Sequence, residues 1–149
     1  MEITDTFYAT LIATVISSLV TIILSLVLKR KDDRRELDLQ LDTILKIAVE
    51  YPYLESSSFT ATWKDNHTNP DEKYRRYETY ATLVFNYLSR VSKFYKYNID
   101  KINDYIDITG WVKLHRTYWH NPTEPNENEL VYDQRFKNII HSILGEIAD

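Results

Sequence analysis

Cysteine is absent from this chain of 149 residues, and only two glycines and four prolines occur. Without cysteine the chain has no disulfide, no thiolate nucleophile and no cysteine ligand for a metal. Two glycines, Gly110 and Gly145, cannot build a glycine-rich phosphate loop of the Walker or dinucleotide type. Their scarcity also favours helices over a β-barrel or a β-sandwich. A formal net charge of −4 gives no electrostatic reason to expect a nucleic-acid partner.

The first 28 residues contain no Lys or Arg and include a long apolar run. Residues 7–28, FYATLIATVISSLVTIILSLVL, form a stretch of 22 residues without a charge. As a helix they are about 33 Å long, which matches the roughly 30 Å hydrocarbon core of a bilayer. Glu2 and Asp5 stand where a cleaved signal peptide has basic residues. The pattern predicts a retained transmembrane helix over residues 7–28, preceded by a short tail of residues 1–6.

Basic residues crowd the C-terminal edge of this run and predict its orientation. All 18 Lys and Arg residues follow residue 28. The first of them are Lys29, Arg30, Lys31, Arg34 and Arg35. The positive-inside rule then places the N-terminus outside the cell membrane and everything from residue 29 onward in the cytoplasm. The same cluster is a candidate site for anionic lipid headgroups, although Asp32, Asp33 and Glu36 dilute its charge.

Six hydroxyl residues interrupt the apolar run and share one side of the predicted helix. At 100° per residue they fall within a sector of about 100°. They are Thr10, Thr14, Ser17, Ser18, Thr21 and Ser25. Small residues and hydroxyls let helices in a membrane approach closely and bond to each other, so this hydroxyl stripe is a candidate association face. Alternatively, each hydroxyl bonds to its own helix and the segment is a passive anchor. A pore lined by the stripe is the narrowest hypothesis.

Helical character continues beyond the membrane segment. Residues 29–52 predict a juxtamembrane amphipathic helix. Its apolar stripe comprises Leu37, Leu41, Ile44, Leu45, Ala48 and Tyr51. No helix breaker occurs between Phe7 and Tyr51, and Pro52 stops the helix. We therefore expect one helix that leaves the membrane and enters the remaining domain.

Residues 53–149 are predicted to form a cytoplasmic bundle, so the expected fold class is all-α with four to five helices. A loop with a short helix near residues 59–64 comes first. Asn69 is a candidate cap for a central helix that ends near Tyr97, and Asp100 is a candidate cap for a short helix. A further helix is expected over residues 109–120, and Asp133 should cap the last one. The segment 121–130, NPTEPNENEL, predicts a loop.

The histidines do not have the spacing of a metal site. His115 and His120 are five residues apart, whereas chelation from one helix needs a separation of three or four. His115 lies on the apolar face of its predicted helix, where a hydrogen-bonded core histidine is the favoured interpretation over a ligand. No serine occurs in a nucleophile elbow of the GxSxG type. We therefore expect no metal, no cofactor and no enzymatic activity.

Aromatic residues are abundant in the predicted domain, and they suggest a binding surface. Tyr, Trp and Arg commonly anchor such surfaces. The candidate residues are Trp111, His115, Arg116, Trp119 and His120, with Tyr53, Glu55 and Trp63 as further contributors from the preceding loop. Alternatively, the tyrosines are amphipathic fillers of a small bundle, with rings inside and hydroxyls at the rim.

Three segments carry a resemblance to known proteins: DTILKIAVEYPYLE, YETYATLVFNYLSRV and WVKLHRTYWHNP. They resemble segments of uncharacterised bacterial single-pass membrane proteins that have an N-terminal anchor and a helical cytoplasmic domain. The resemblance implies this architecture over most of the chain. Small anchored proteins of this kind include candidates for phage-defence or stress effectors. The resemblance carries no site residues.

These observations lead to three hypotheses of function. The first is a single-pass inner-membrane adaptor or scaffold that binds a cytoplasmic protein and pairs through its transmembrane helix, with itself or with another membrane protein. The second is an oligomerising effector of the phage-defence or stress type that perturbs the bilayer when triggered. The third is a ligand sensor or enzyme that uses the region from His115 to His120.

Overall fold

The first helix, α1, extends without interruption from Glu2 to Glu50 in the computed structural model, which describes residues 2–66, 68, 70–121 and 131–145. This continuity confirms the prediction that no break occurs before Pro52. Pro52 begins a short 3₁₀ helix over Pro52–Glu55, as expected of a residue that lacks a backbone N–H. The chain divides into two compact units, Met1–Glu36 and Leu37–Asp149, so the C-terminal part of α1 belongs with the helices that follow.

The prediction of an all-α fold is confirmed, and the helices are shorter than the sequence pattern suggests. Besides the 3₁₀ helix, the described part of the second unit contains six α-helices after α1: α2 (Ser57–Asn66), α3 (Glu72–Phe94), α4 (Ile99–Asn103), α5 (Ile108–Leu114), α6 (Arg116–His120) and α7 (Gln134–Leu144). The single helix predicted over residues 109–120 is wrong in one respect, because it breaks at His115 into α5 and α6. Residues 122–130 of the predicted loop lie outside the described residues.

The capping residues confirm one prediction and correct two others. Asp133 caps α7, since its side chain accepts a hydrogen bond from the backbone N–H of Phe136 at 3.0 Å. The cap of α3 is Asp71, which accepts from the N–H of Lys73, and not Asn69, which lies outside the described residues. Asn98 caps α4, because its amide oxygen reaches the N–H of Lys101 at 3.0 Å. Asp100 instead lies in the first turn of α4.

The central helix α3 ends at Phe94, three residues before the predicted boundary. Lys96 and Tyr97 adopt φ values of 53° and 61°, which no helix can continue. The N–H of Tyr97 donates to the carbonyl of Ser92 at 2.7 Å, and the N–H of Lys96 donates to that of Lys93 at 3.1 Å. This pair of bonds is the Schellman motif, here with lysine at the position that glycine usually occupies.

The core of the second unit is built around α3 and is rich in aromatic rings. Tyr77, Tyr80, Phe85 and Tyr87 of α3 are buried. Tyr80 and Tyr87 lie outside the apolar face that the sequence predicts for this helix. That face comprises Tyr74, Tyr77, Ala81, Val84, Phe85, Leu88, Val91 and Tyr95. Tyrosine hydroxyls at the edge of the core find partners, as the bond from Tyr132 to the Asn86 side chain at 2.9 Å illustrates. These rings therefore have the placement expected of amphipathic fillers.

The C-terminal part of α1 packs on this core through a face slightly rotated from the predicted one. Leu37 and Ile44 are buried, and Leu41 and Ala48 are partly buried against the core. Leu45 was expected on the same stripe but is 45% exposed, because it lies at the edge of the face that meets the other helices. Ile47, which was not predicted there, packs against the core.

Candidate functional site

The apolar segment of α1 is the most conspicuous surface feature of the chain. The fourteen large apolar side chains of residues 7–28 are between 47% and 64% exposed, and twelve of them lie outside the hydroxyl stripe, within a sector of about 220°. Among the described residues this is the one helix long and apolar enough to cross a membrane. Apolar residues around most of a helix are typical of a protein core or of a membrane span, and none of these fourteen side chains is buried.

The hydroxyl stripe bonds largely to its own helix. The side chain of Thr14 donates to the carbonyl of Thr10 at 2.9 Å. Three further hydroxyls repeat this pattern four residues apart: Ser18 to Thr14, Thr21 to Ser17, and Ser25 to Thr21, at 2.8–2.9 Å. Such bonds satisfy the hydroxyl hydrogens and reduce the cost of placing them in lipid. The oxygen atoms still have lone pairs that can accept a bond from a neighbouring helix.

The basic cluster that follows the apolar segment is open to solvent along most of its length. Lys29, Arg30, Lys31 and Arg35 are exposed, and Arg34 is half-buried. All five side chains belong to the same helix as the apolar segment, directly after its last apolar residue. They are therefore placed where a bilayer interface would meet a helix that spans the bilayer through residues 7–28.

The aromatic segment of residues 111–120 contributes two of its candidate binding residues to the core. His115 and Trp119 are 0% and 2% exposed. The ring of Trp119 packs against Phe85 and Tyr132, with centroid distances of 4.9 Å and 5.7 Å. Burial of His115 is the favoured interpretation of its place on the apolar face, and Trp119 has the placement of an aromatic core residue rather than of a surface anchor.

The remaining members of that predicted surface are scattered. Arg116 and His120 are exposed, and Trp111 is half-buried. Trp63 is buried, so it too is part of the core and not of a surface. A binding role for Trp111, Arg116 and His120 stays a prediction that the fold does not test.

His115 instead joins a buried polar network that includes Glu55, Tyr77 and Tyr80. The Tyr77 hydroxyl lies 3.0 Å from His115 Nδ1. His115 Nε2 is 3.5 Å from Glu55 Oε1, a long contact for a hydrogen bond. The Tyr80 hydroxyl donates to the same carboxylate oxygen. The network connects the 3₁₀ helix, α3 and the junction of α5 with α6, which fits the favoured interpretation of His115 as a hydrogen-bonded core residue.

Electrostatics in this network favour an ionised carboxylate beside two neutral phenols. Burial raises the pKa values of Tyr77 and Tyr80 well above the ordinary range, and the nearby Glu55 charge adds to both. Burial alone would raise the pKa of Glu55, but the nearby His115 imidazole and the hydrogen bond from Tyr80 outweigh it and lower this pKa. When Tyr77 donates to Nδ1, the imidazole proton lies on Nε2 and points at Glu55. The arrangement links three segments of the chain through polar contacts.

We expect replacement of Glu55 by glutamine to make the domain less stable at neutral pH and less sensitive to acid. A hydrogen bond to a charged group contributes about 1.5–3 kcal/mol, and the neutral amide loses most of that. Because the folded pKa of Glu55 is lowered, its contribution is complete above the unfolded value of about 4.3 and is lost as pH falls through the folded value.

Urea unfolding of the full-length protein in micelles at several pH values measures this effect. The difference in unfolding free energy between the native chain and Glu55→Gln should be largest near pH 7 and should shrink below about pH 4.3. A difference that stays constant down to pH 3 would show that the Glu55 charge does not stabilise the fold.

Sequence reasoning did not anticipate a groove between the C-terminal part of α1 and α3. It has a volume of about 280 Å³ and is lined by Gln40, Thr43, Ile44, Leu83, Asn86, Tyr87 and Arg90. Leu83 is 41% exposed at its edge. The sequence signal that could have revealed this groove is Leu83, a large apolar residue about 80° outside the apolar face predicted for α3.

The described residues contain no group of three or more His, Asp or Glu side chains placed to hold a metal ion. The fold therefore defines an all-helical chain with one candidate membrane-spanning helix and a helical domain that carries an open groove. Comparison with known protein families, with curated proteins and with solved structures finds no match.

Proposed function

We propose that this chain is a single-pass protein of the bacterial inner membrane whose helical domain binds another protein on the cytoplasmic side. The apolar side chains exposed around most of α1 between residues 7 and 28 carry the proposal. Their burial requires an apolar solvent around most of the helix, which a bilayer supplies. The basic cluster after residue 28 supports the cytoplasmic placement of the domain.

The groove between α1 and α3 is the binding surface that we favour in the helical domain. Its lining combines apolar side chains with the amides of Gln40 and Asn86. It also contains Tyr87 and Arg90, which are residue types enriched among the strongest contacts of protein interfaces. A groove of this shape and composition suits an amphipathic helix of a partner, which would place one apolar side chain against Leu83 and Ile44.

A photoreactive amino acid at Thr43, inside the groove, should form a discrete crosslinked product in cells. The matched control is the same probe at Ala61, an exposed position of α2. We expect Leu83→Arg to abolish the Thr43 product, because a charge at the edge of an apolar contact costs its desolvation. Leu39→Arg, at an exposed residue that does not line the groove, should leave the product unchanged. Equal products from both probes, or persistence in Leu83→Arg, would contradict a groove-bound partner.

The hydroxyl stripe supports pairing of the transmembrane helices, and crosslinking in the native membrane tests it. We expect Thr14→Leu, Ser17→Leu and Thr21→Leu together to remove a discrete oligomer, because branched side chains prevent close approach. The control carries the same number of leucines off the stripe, at Val15, Val20 and Ile22. Identical oligomers in both variants would make the segment a passive anchor, as the intrahelical bonds of the hydroxyls would allow.

The effector hypothesis shares this oligomer and adds one property. An assembly that perturbs the bilayer should collapse the membrane potential or stop growth when the native chain is expressed, and the stripe variant should not. An adaptor should be tolerated in both forms. Measurement of membrane potential during expression therefore separates the two functions.

A further inference from the structure

The charged residues directly after the apolar segment are sorted by sign around α1. At 100° per residue, Arg30, Arg34, Lys31 and Arg35 lie in succession within a sector of about 140°. Asp32, Glu36 and Asp33 lie within a sector of about 100° whose centre is nearly opposite. Lys29 is the one base in residues 29–36 that falls within the acidic sector. Asp38, one turn after Arg34, also falls within the basic sector, so over residues 29–38 this side carries four bases and one acid, whereas the other side carries three acids and one base.

The centres of the two sides are separated by the width of the helix, whereas at their edges Asp33 and Asp32 are three residues from Arg30 and Arg35 and are their neighbours on the helix surface. A helix with its side chains is about 10–12 Å wide, whereas the Debye length at physiological salt is about 8 Å. A negative charge at the centre of the acidic side is therefore largely screened from a negative headgroup that approaches the centre of the basic side. The basic side presents Arg30, Lys31 and Arg35 to solvent, and Arg34 is half-buried beside them.

The position along the helix matches the depth of lipid phosphates. With a rise of 1.5 Å per residue, Arg30 to Arg35 lie about 3–10 Å beyond Leu28, the last apolar residue of the span. The polar headgroup layer of a bilayer is about 5–8 Å thick on each side. A span centred on residues 7–28 would thus place Arg30 and Lys31 at the level of the headgroups, and Arg34 and Arg35 just beyond, from where their long side chains can reach back to the phosphates.

We propose that Arg30, Lys31, Arg34 and Arg35 form a one-sided site on α1 that selects anionic phospholipid headgroups. This inference rests on the proposed membrane span. It adds that the lipid in contact with one side of α1 differs from the lipid in contact with the other. The acidic side overlaps the hydroxyl stripe in angle around the helix. It disfavours anionic headgroups, so a neighbouring helix can occupy this side.

Spin-labelled lipids measure this selectivity on the full-length protein reconstituted in phosphatidylcholine vesicles. The probes are phosphatidylglycerol and phosphatidylcholine labelled on the acyl chain, and the fraction of each that is immobilised at the protein is compared. We expect phosphatidylglycerol to be favoured, and Lys31→Gln with Arg35→Gln to reduce that preference by about fivefold or more. The preference should also decline as salt is added.

Two control variants separate the basic side from overall charge. Lys46→Gln with Lys113→Gln removes the same charge at exposed positions of the helical domain and should change nothing. A second variant, Arg34→Glu with Glu36→Arg, keeps the composition of residues 29–36 but alternates single acids with groups of one or two bases around the helix. It should lose the preference as the neutralised variant does. Retention of the preference in the alternating variant would overturn the proposal, since the number of charges alone would then suffice.

The same samples distinguish failure of this inference from failure of the proposed function. Co-flotation with vesicles and resistance to carbonate extraction report insertion of α1, independently of lipid type. Insertion without a preference for phosphatidylglycerol would overturn the one-sided lipid site and leave the membrane span intact. A native chain that does not insert would overturn the span, and the lipid site with it.

Discussion

Two arginines in the middle of the apolar segment, Ile16→Arg with Leu19→Arg, are expected to release the chain from the membrane. Thirteen Phe, Leu, Ile and Val residues lie between positions 7 and 28. They favour insertion by about 4–8 kcal/mol in total, and each arginine at the centre of the span opposes it by about 2.5–3.5 kcal/mol. The two terms nearly cancel, so insertion should become inefficient.

The fraction of protein that resists carbonate extraction measures this loss. Leu39→Arg with Leu45→Arg adds the same two charges at exposed positions of α1 outside the apolar run and should remain in the membrane fraction. Membrane retention of Ile16→Arg with Leu19→Arg at the native level would show that residues 7–28 are not the anchor.

Replacement of His115 by alanine is expected to destabilise the helical domain by about 3 kcal/mol or more. The change opens a cavity at a fully buried position and leaves the Tyr77 hydroxyl without its partner at 3.0 Å. It also deprives the Glu55 carboxylate of a nearby imidazole. Domains of this size are stable by about 5–15 kcal/mol, so the loss removes a large share of the total.

Urea unfolding of the full-length protein in micelles, followed by tryptophan fluorescence, gives the difference in free energy. His120→Ala, at an exposed position of α6, is the matched control and should stay within about 0.5 kcal/mol of the native chain. A catalytic or ligand-binding role for His115 predicts the opposite pattern, with normal stability and lost function. Normal stability of His115→Ala would therefore restore the hypothesis of a sensor or enzyme at this residue.

The features that could be predicted from the sequence depend on neighbours in the chain. The apolar run of residues 7–28, the stop at Pro52 and the cap at Asp133 involve interactions within about four residues. Helical hydrogen bonds have the same range, so the sequence alone determines that the chain is helical and that one helix is long and apolar enough to cross a membrane. The hydroxyl stripe and the sorted charges of residues 29–36 follow from the helical period in the same way.

The features that required the tertiary structure depend on residues far apart in the chain. The partners of His115 come from the 3₁₀ helix and from α3, and Trp119 packs against Phe85 and Tyr132. A periodic pattern shows that one face is apolar, but not how much of that face other helices will cover. Only the packing of the helices decided the burial of His115 and Trp119, the exposure of Leu45 and the groove beside Leu83. Burial depends on which surfaces meet and not on the local pattern.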